Sequence, residues 1–234
     1  MSILKYRNCY KNKSALIVGC GPSLNEYTKE QLLKEASKDI IISIKQAFNI
    51  LPIETDFHII NDNNMIQYTY TNDTVVLSNS GRPSFPHLNM LKNCKNLFHF
   101  GRHVGPLNPS VVSTGDFSIN EIKTSKHKTH MGPGIMLEIV IPFIILSGFS
   151  HIKFIGWDYS NPNIFEKYMP HFYKPSYRKT FKQPTTPLSK VEAKRLIKNS
   201  EELYKYLVSK NITSEVLSST SWVSSLFPRR VLNG

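Results

Sequence analysis

The chain has 234 residues, 40% of them hydrophobic and 11% aromatic, which supports one α/β domain with a substantial core and excludes intrinsic disorder. Its formal net charge of +12 favours anionic partners, although a solvated basic face accounts for the charge equally well. Nucleic acid is not an expected partner, since no helix-turn-helix, zinc-finger or RNP signature accompanies the charge. The three scattered cysteines and the absence of an apolar leader at the N-terminus favour a cytoplasmic protein.

The first predicted strand is the continuous apolar run Ser14–Val18. It ends in a loop that consists of Gly19, Cys20, Gly21, Pro22 and Ser23. Glycine lets a backbone approach a ligand closely, and Pro22 suits the first turn of a helix whose free N–H groups face an anion. A nucleotide is therefore the expected ligand, although a tight strand–helix turn without any ligand explains the same residues. NAD and P-loop sites are not predicted, because the dinucleotide fingerprint and the Walker A sequence are both incomplete.

A helix and several short apolar strands are predicted next. They cover, in chain order, the helix Tyr27–Ser37 and the strands Asp39–Ile44, Phe57–Ile60, Thr74–Leu77 and Asn96–Phe100. Lys45 and Gln46 directly follow the second strand, and Asn61 directly follows the third. Because ligands of open parallel sheets bind at the carboxyl ends of the strands, we expect these side chains to belong to one site assembled from several loops.

The apolar run Gly134–Ser147 predicts a buried helix with Gly148 as its C-cap. It is too short and too interrupted to span a membrane, which takes roughly 20 apolar residues. Gly132, Pro133 and Gly134 form the turn before it. Phosphate or carboxylate binding at this helix N-terminus and a simple turn are equally good interpretations.

A strand over His151–Gly156, a helix over Ser189–Lys210 and a last strand over Thr213–Leu217 complete the predicted elements. The intervening loop is rich in Tyr, Pro, Lys and Asn, and it contains His171. Histidine is the usual general base near neutral pH, although a histidine beside aromatic residues is more often packed or on the surface. No D-x-D sequence occurs, so a divalent metal held on nucleotide phosphates is not predicted.

Three of these features together resemble a known family. They are the start Val18–Leu24, the glycine-containing turn before an apolar helix, and the strand ending in Gly156-Trp157-Asp158. This pattern resembles the bacterial sialyltransferases of glycosyltransferase family 42, and also the broader group related to archaeal 6-hydroxymethylpterin diphosphokinase. The resemblance covers the chain nearly end to end. It implies a Rossmann-like α/β fold (a GT-A-like variant) with a mostly parallel sheet, helices on both faces and a small lid, as one domain over 1–234 with the lid at about 159–188.

The resemblance also implies roles for individual residues. In the family, a tyrosine three residues before a histidine forms part of the site, and that pattern falls here on Tyr168 and His171. The histidine is the base, and the tyrosine hydroxyl binds the donor's phosphate. Asn61 resembles a donor ligand of the family, and Tyr159, next to the candidate ligand Asp158, resembles a tyrosine on the leaving phosphate.

The chain departs from the family pattern in its first loops. Cys20 and Lys45 stand where the family has asparagines, which leaves open whether the nucleotide is cytidine. The implied activity is inverting, metal-independent and cofactor-free transfer of sialic acid or a related keto-sugar acid from a CMP donor to a glycan or glycolipid acceptor, in surface polysaccharide or lipooligosaccharide synthesis. Peripheral contact with the inner face of a membrane and a homo-oligomer are further expectations.

Two other functions stay open on the sequence. One is a Mg²⁺-dependent phosphotransferase like the pterin diphosphokinase, which the missing acidic pair counts against. The other is a non-catalytic protein that binds a nucleotide sugar.

Overall fold

The computed structural model describes residues 3–50, 54–60, 67–70, 73–78, 91–99, 135–158 and 190–232. The strands are β1 (Ser14–Val18), β2 (Ile40–Ile44), β3 (Phe57–Ile60), β4 (Tyr68–Thr69), β5 (Val75–Ser78), β6 (Leu91–Lys92), β7 (Asn96–His99), β8 (His151–Ile155) and β9 (Thr213–Val216). The α-helices are α1 (Lys29–Ala36), α2 (Ala47–Ile50), α3 (Ile141–Ser147) and α4 (Lys190–Ser209). Short 3₁₀-helices cover Ile3–Tyr6 and Pro22–Glu26, and a π-helical turn covers Met136–Val140.

Seven of the described strands form one sheet in the order β7-β5-β3-β2-β1-β8-β9, and every adjacent pair is parallel. The chain moves outward from β1 through β2, β3 and β5 to β7, and then returns to the other side of β1 for β8 and β9. The strand order therefore reverses between β1 and β8. Such a reversal opens a crevice at the carboxyl edge of a parallel sheet, where ligands of doubly wound folds bind.

Both faces of the sheet are buried, which explains why its strands are continuous apolar runs. Ala15 and Ile17 of β1 pack in a cluster with α3, the π-helical turn and the second half of α4. Leu16 and Val18 point to the opposite face and pack against Leu32 and Ala36 of α1. The Rossmann-like α/β fold with helices on both faces is thus confirmed.

The predicted strands match the observed ones to within two residues at each end, whereas two helices begin differently. The helix predicted from Tyr27 begins at Lys29, because Thr28 and Gln31 form a reciprocal capping box there. The buried helix contains the π-helical turn before Pro142. Proline has no N–H and its ring crowds the carbonyl four residues earlier, so a wider turn fits that position.

Gly148 ends α3 in the left-handed conformation, with φ of 80°, and its N–H donates to Ile144 O and Ile145 O. The predicted C-cap is confirmed. The proposed lid at 159–188 and the turn Gly132–Gly134 lie outside the described residues, so the domain with its lid stays a prediction. In the described ranges no helix combines the length and the apolar character needed to cross a membrane.

Candidate functional site

The loops after β1 and β8 meet at the carboxyl edge, where the strand order reverses. Backbone hydrogen bonds continue the pairing of the two strands into these loops: Gly19 N donates to Ile155 O at 2.8 Å, and Gly21 N donates to Gly156 O at 2.7 Å. The Ser23 hydroxyl accepts a hydrogen bond from Gly156 N at 3.1 Å. The first predicted motif and the Gly156-Trp157-Asp158 motif therefore form a single structural unit.

The glycines of this unit are required by the protein's own packing. A Cβ on Gly19 would lie 2.4 Å from Gly156 O, and one on Gly21 would lie 2.2 Å from a carboxylate oxygen of Asp158. Gly156 itself has φ of +66°, a conformation that side chains disfavour. The sequence predicts that the glycines of the first loop let the backbone approach a ligand closely. In the structure, these glycines instead let two loops of the same chain approach each other.

Asp158 occupies the N-terminus of the 3₁₀-helix Pro22–Glu26. Its Oδ2 accepts a hydrogen bond from Ser23 N at 2.7 Å, so the anion at this amide is the protein's own carboxylate. Burial raises the pKa of Asp158, against the hydrogen bonds from Ser23. Its Oδ1 is buried near the Ser221 hydroxyl, which donates to Trp157 O at 2.9 Å and acts to lower the pKa of Asp158.

A hydroxyl-rich loop after β9, Ser218–Ser221, closes this edge. Glu26 accepts hydrogen bonds from the Ser218 hydroxyl at 2.7 Å, from Ser219 N at 2.9 Å and from the Thr220 hydroxyl. Burial by itself would raise the pKa of Glu26, but these hydrogen bonds outweigh it and lower that pKa. This loop was not among the predicted site segments. The available signal was four consecutive hydroxyl side chains directly after a predicted strand.

Arg229 lies beside the same carboxylates. Its guanidinium donates to Val223 O at 2.5 Å. Burial lowers the pKa of Arg229, whereas the neighbouring charges of Asp158 and Glu26 act to raise it. Two carboxylates and one guanidinium therefore lie together at this edge, and their net negative charge disfavours a phosphate beside them.

The turn after β2 brings Cys20 and Gln46 together. The Cys20 thiol donates to Ile44 O at 3.2 Å and lies 3.8 Å from Gln46 Oε1. Burial raises the pKa of Cys20 to about 11, so the group is a neutral thiol near pH 7 and is not activated as a nucleophile. Lys45, with φ of +49°, forms the corner of this turn.

The structure thus assembles the predicted residues of the first loop with Asp158, and links Cys20 to the Lys45–Gln46 turn. The other predicted site residues lie outside the described part of the chain and stay predictions; they are Asn61, Gly132, Pro133, Gly134, Tyr159, Tyr168 and His171. Within the described ranges no three His, Cys, Asp or Glu side chains cluster in a way that could hold a metal ion.

A groove of about 640 Å³ lies at the opposite edge of the sheet, at the amino ends of β2, β3 and β5. Aromatic and acidic side chains line it, among them Tyr6, Tyr10, Asp39 and Asp56. None of the predicted site residues that the structure describes borders this groove. We place the candidate site at the carboxyl edge, because the loops there converge on the point where the strand order reverses.

Comparison with known proteins adds little. No family model matches the chain, and no curated protein matches it. Among solved structures the chain is similar to the MAf glycosyltransferase from Magnetospirillum magneticum AMB-1, with a TM-score of 0.48 and 11% identity over 98% of this chain. The chain spans 37% of the length of that protein. The fold assignment therefore rests on the strand order and pairing described above.

Proposed function

We propose that this protein is a metal-independent, inverting glycosyltransferase that moves sialic acid or a related keto-sugar acid from a CMP donor to a glycan or glycolipid acceptor. The observation that supports a nucleotide-dependent activity is the reversal of strand order between β1 and β8, with the loops of both strands interlocked at its carboxyl edge. Nucleotides bind at this position in doubly wound α/β folds. The nature of the donor comes from the sequence resemblance.

The charges at the carboxyl edge bear on where the phosphate of a nucleotide would lie. A phosphate would be repelled by Asp158 and Glu26, so in this proposal it lies toward Lys45, and the Tyr168 hydroxyl is its hydrogen-bond donor. In this arrangement the donor lies across the ends of β1, β2 and β8.

The proposed reaction needs a base and a stabilised leaving group. The acceptor hydroxyl oxygen forms a bond to the anomeric carbon of the donor sugar while the bond from that carbon to the phosphate oxygen breaks. His171 takes the acceptor proton, and CMP leaves with the bonding electron pair. The Tyr168 hydroxyl and neighbouring donors stabilise the negative charge that develops on the phosphate.

The test follows CMP release from CMP-sialic acid in EDTA, with and without a lactose-type acceptor. Wild-type release should persist without metal, and His171→Ala should lower the turnover by about 10²–10⁴-fold, the usual contribution of a general base. His151→Ala is the matched control, since His151 lies at the amino end of β8, across the sheet from the site. It should keep nearly wild-type turnover.

Three other results would contradict the proposal. A loss of less than about threefold in His171→Ala would remove His171 as the base. Strict dependence on Mg²⁺ would instead indicate the phosphotransferase. Tight CMP binding without any turnover would indicate a binding protein.

A membrane-bound acceptor would suit the net charge of +12, and we place this protein at an anionic membrane surface during the reaction. Of the two adjacent arginines near the C-terminus, Arg230 is already bound by Glu35 and Glu215. The charges that face lipid in this proposal are therefore mainly lysines.

A further inference from the structure

We propose that His58 is a positioning residue for the nucleotide site: it holds the carbonyl group of Lys45 and thereby the turn that carries Lys45 and Gln46. The inference rests on the proposed function only in assigning that turn to the donor site. His58 was not among the residues that the sequence indicated, because a single histidine in an apolar strand has the pattern of an ordinary core residue.

The hydrogen bonds of His58 define its tautomer. The side chain lies on β3 and is 0% exposed. Its Nε2 is 2.9 Å from Lys45 O, and its Nδ1 is 2.7 Å from the Tyr70 hydroxyl. A carbonyl oxygen can only accept, so Nε2 carries the hydrogen. Burial lowers the pKa of His58 to about 3, so the ring is neutral near pH 7 and Nδ1 accepts from Tyr70 O–H.

Aromatic packing holds the ring in this orientation. Phe48 stacks on His58 with ring centroids 4.5 Å apart and planes 16° apart, and Tyr68 contacts it edge-on at 4.5 Å. This packing keeps Nδ1 directed toward the Tyr70 hydroxyl and Nε2 directed toward Lys45 O. The pair of directed bonds distinguishes this histidine from one that only fills space.

The group that His58 contacts is a strained backbone position. Lys45 has φ of +49°, which a residue with a side chain adopts at a cost of about 1–2 kcal/mol. The backbone groups of Lys45 are hydrogen-bonded: its N–H donates to Ile59 O at 2.9 Å, and its carbonyl accepts from Phe48 N at 3.2 Å and from Nε2 of the His58 side chain at 2.9 Å. Loss of the His58 bond would therefore remove one of the donors that hold this carbonyl group.

The turn transmits this restraint to the first loop. Cys20 of the Gly19–Ser23 loop donates to Ile44 O and lies 3.8 Å from Gln46 Oε1, so it contacts the residues on both sides of Lys45. A change in the Lys45 corner would therefore alter the surroundings of the Cys20 thiol. The reactivity of the Cys20 thiol therefore reports on the conformation of the turn, and it can be measured without a ligand.

The experiment compares His58→Gln and His58→Leu in a background with Cys9→Ser and Cys94→Ser, so that Cys20 alone reacts with a thiol reagent. Glutamine can offer an N–H to Lys45 O, whereas leucine cannot. The Leu variant should label Cys20 about tenfold faster and bind CMP about tenfold more weakly, as expected for one lost buried hydrogen bond, and the Gln variant should stay within about threefold of wild type in both measurements.

Thr74→Val is the matched control, because it removes a buried hydrogen bond of 3.0 Å, from the Thr74 hydroxyl to Thr55 O, at the amino edge of the sheet. It should lower the melting temperature without changing labelling or CMP affinity. If His58→Leu does not fold, Tyr70→Phe replaces it. That variant removes the donor to Nδ1, so the ring loses one of the two hydrogen bonds that orient it, and labelling should also accelerate.

Unchanged Cys20 labelling in a folded His58→Leu or, in its place, Tyr70→Phe variant would overturn the inference, as would equal defects in the Gln and Leu variants. If wild type does not bind CMP, the proposed function fails while the labelling rates still decide the role of His58.

Discussion

Burial sets the protonation state of the side chains around the candidate site. It lowers the pKa of His58 to about 3 and raises the pKa of Cys20 to about 11, so both groups are neutral near pH 7. Tyr70, the hydroxyl partner of His58, has its pKa raised by the same cause. Because these groups stay neutral, their hydrogen bonds direct the loops without placing charge inside the protein.

The lowered pKa of His58 makes stability depend on pH. As the pH falls below about 6.5, the unfolded chain takes up a proton at this histidine while the folded protein does not. Stability is therefore unaffected by this group above about pH 6.5 and is lost between about pH 6.5 and pH 3, with a slope of up to about 1.4 kcal/mol per pH unit. Urea unfolding of wild type and His58→Gln across this range should show the smaller slope in the variant.

Only the difference between the two proteins is informative, since carboxylates with lowered pKa values, such as Glu35, contribute in the same direction. Arg230 and Lys153 lower the pKa of Glu35 to about 2 despite its burial, and that contribution to stability is also lost as the pH falls. If stability falls equally steeply with pH in wild type and in His58→Gln, the pKa of His58 is not lowered in the folded protein, and His58 is protonated there as it is in the unfolded chain.

At the scale of elements, the junction between the ends of β1 and β8 depends on glycine for two separate reasons. Gly156 combines φ of +66° with a position where a Cβ would lie 2.7 Å from Gly19 O. Gly148 has a similar φ of +80°, but its nearest neighbouring atoms would be 3.2 Å away. Comparing substitutions at Gly148 and Gly156 therefore distinguishes the cost of backbone strain from the cost of steric overlap.

Gly148→Ala should lower the free energy of unfolding by about 1–2 kcal/mol, the cost of the left-handed conformation. Gly156→Ala should lower it by roughly 1–3 kcal/mol more, because the added methyl also forces the two loops apart. Urea unfolding of both variants measures the difference. Equal losses would mean that the two loops separate easily and that their close contact contributes little.

The C-terminal segment is held to the sheet by a second set of contacts. Val216 N donates to Pro228 O at 2.9 Å, and Arg230 N donates to Val216 O at 3.1 Å. The Arg230 side chain binds Glu35 of α1 at 2.7 Å and Glu215 of β9 at 2.9 Å. Lys153 of β8 adds a 2.7 Å contact to Glu35. These contacts position the segment that carries Arg229 over the carboxyl edge.

For the molecule as a whole, a ligand that binds only the folded state raises its stability. At 100 times its dissociation constant such a ligand adds about 2.7 kcal/mol, which for a chain of this size corresponds to a melting temperature about 5–10 °C higher. CMP should produce this shift, and ATP at equal concentration should produce a smaller one. A larger shift with ATP would favour the phosphotransferase instead.

Much of the fold could be predicted from the sequence because it is encoded locally. Parallel strands buried on both faces must be continuous apolar runs, and Ser14–Val18 and Phe57–Ile60 were predicted with their observed bounds. The capping box at Thr28 and the π-helical turn before Pro142 were missed, although both depend on near neighbours.

The candidate site was predicted only in part, because its contacts join distant segments. The chain order of apolar runs and glycine loops determined an α/β fold and the loops from which its site is built. Only the tertiary structure decided that Asp158, 135 residues after Ser23, occupies the helix N-terminus, and that His58 supports the turn at Lys45. Local patterns record the backbone preferences of each segment, whereas burial and pairing between distant segments set the pKa values and the hydrogen-bond partners.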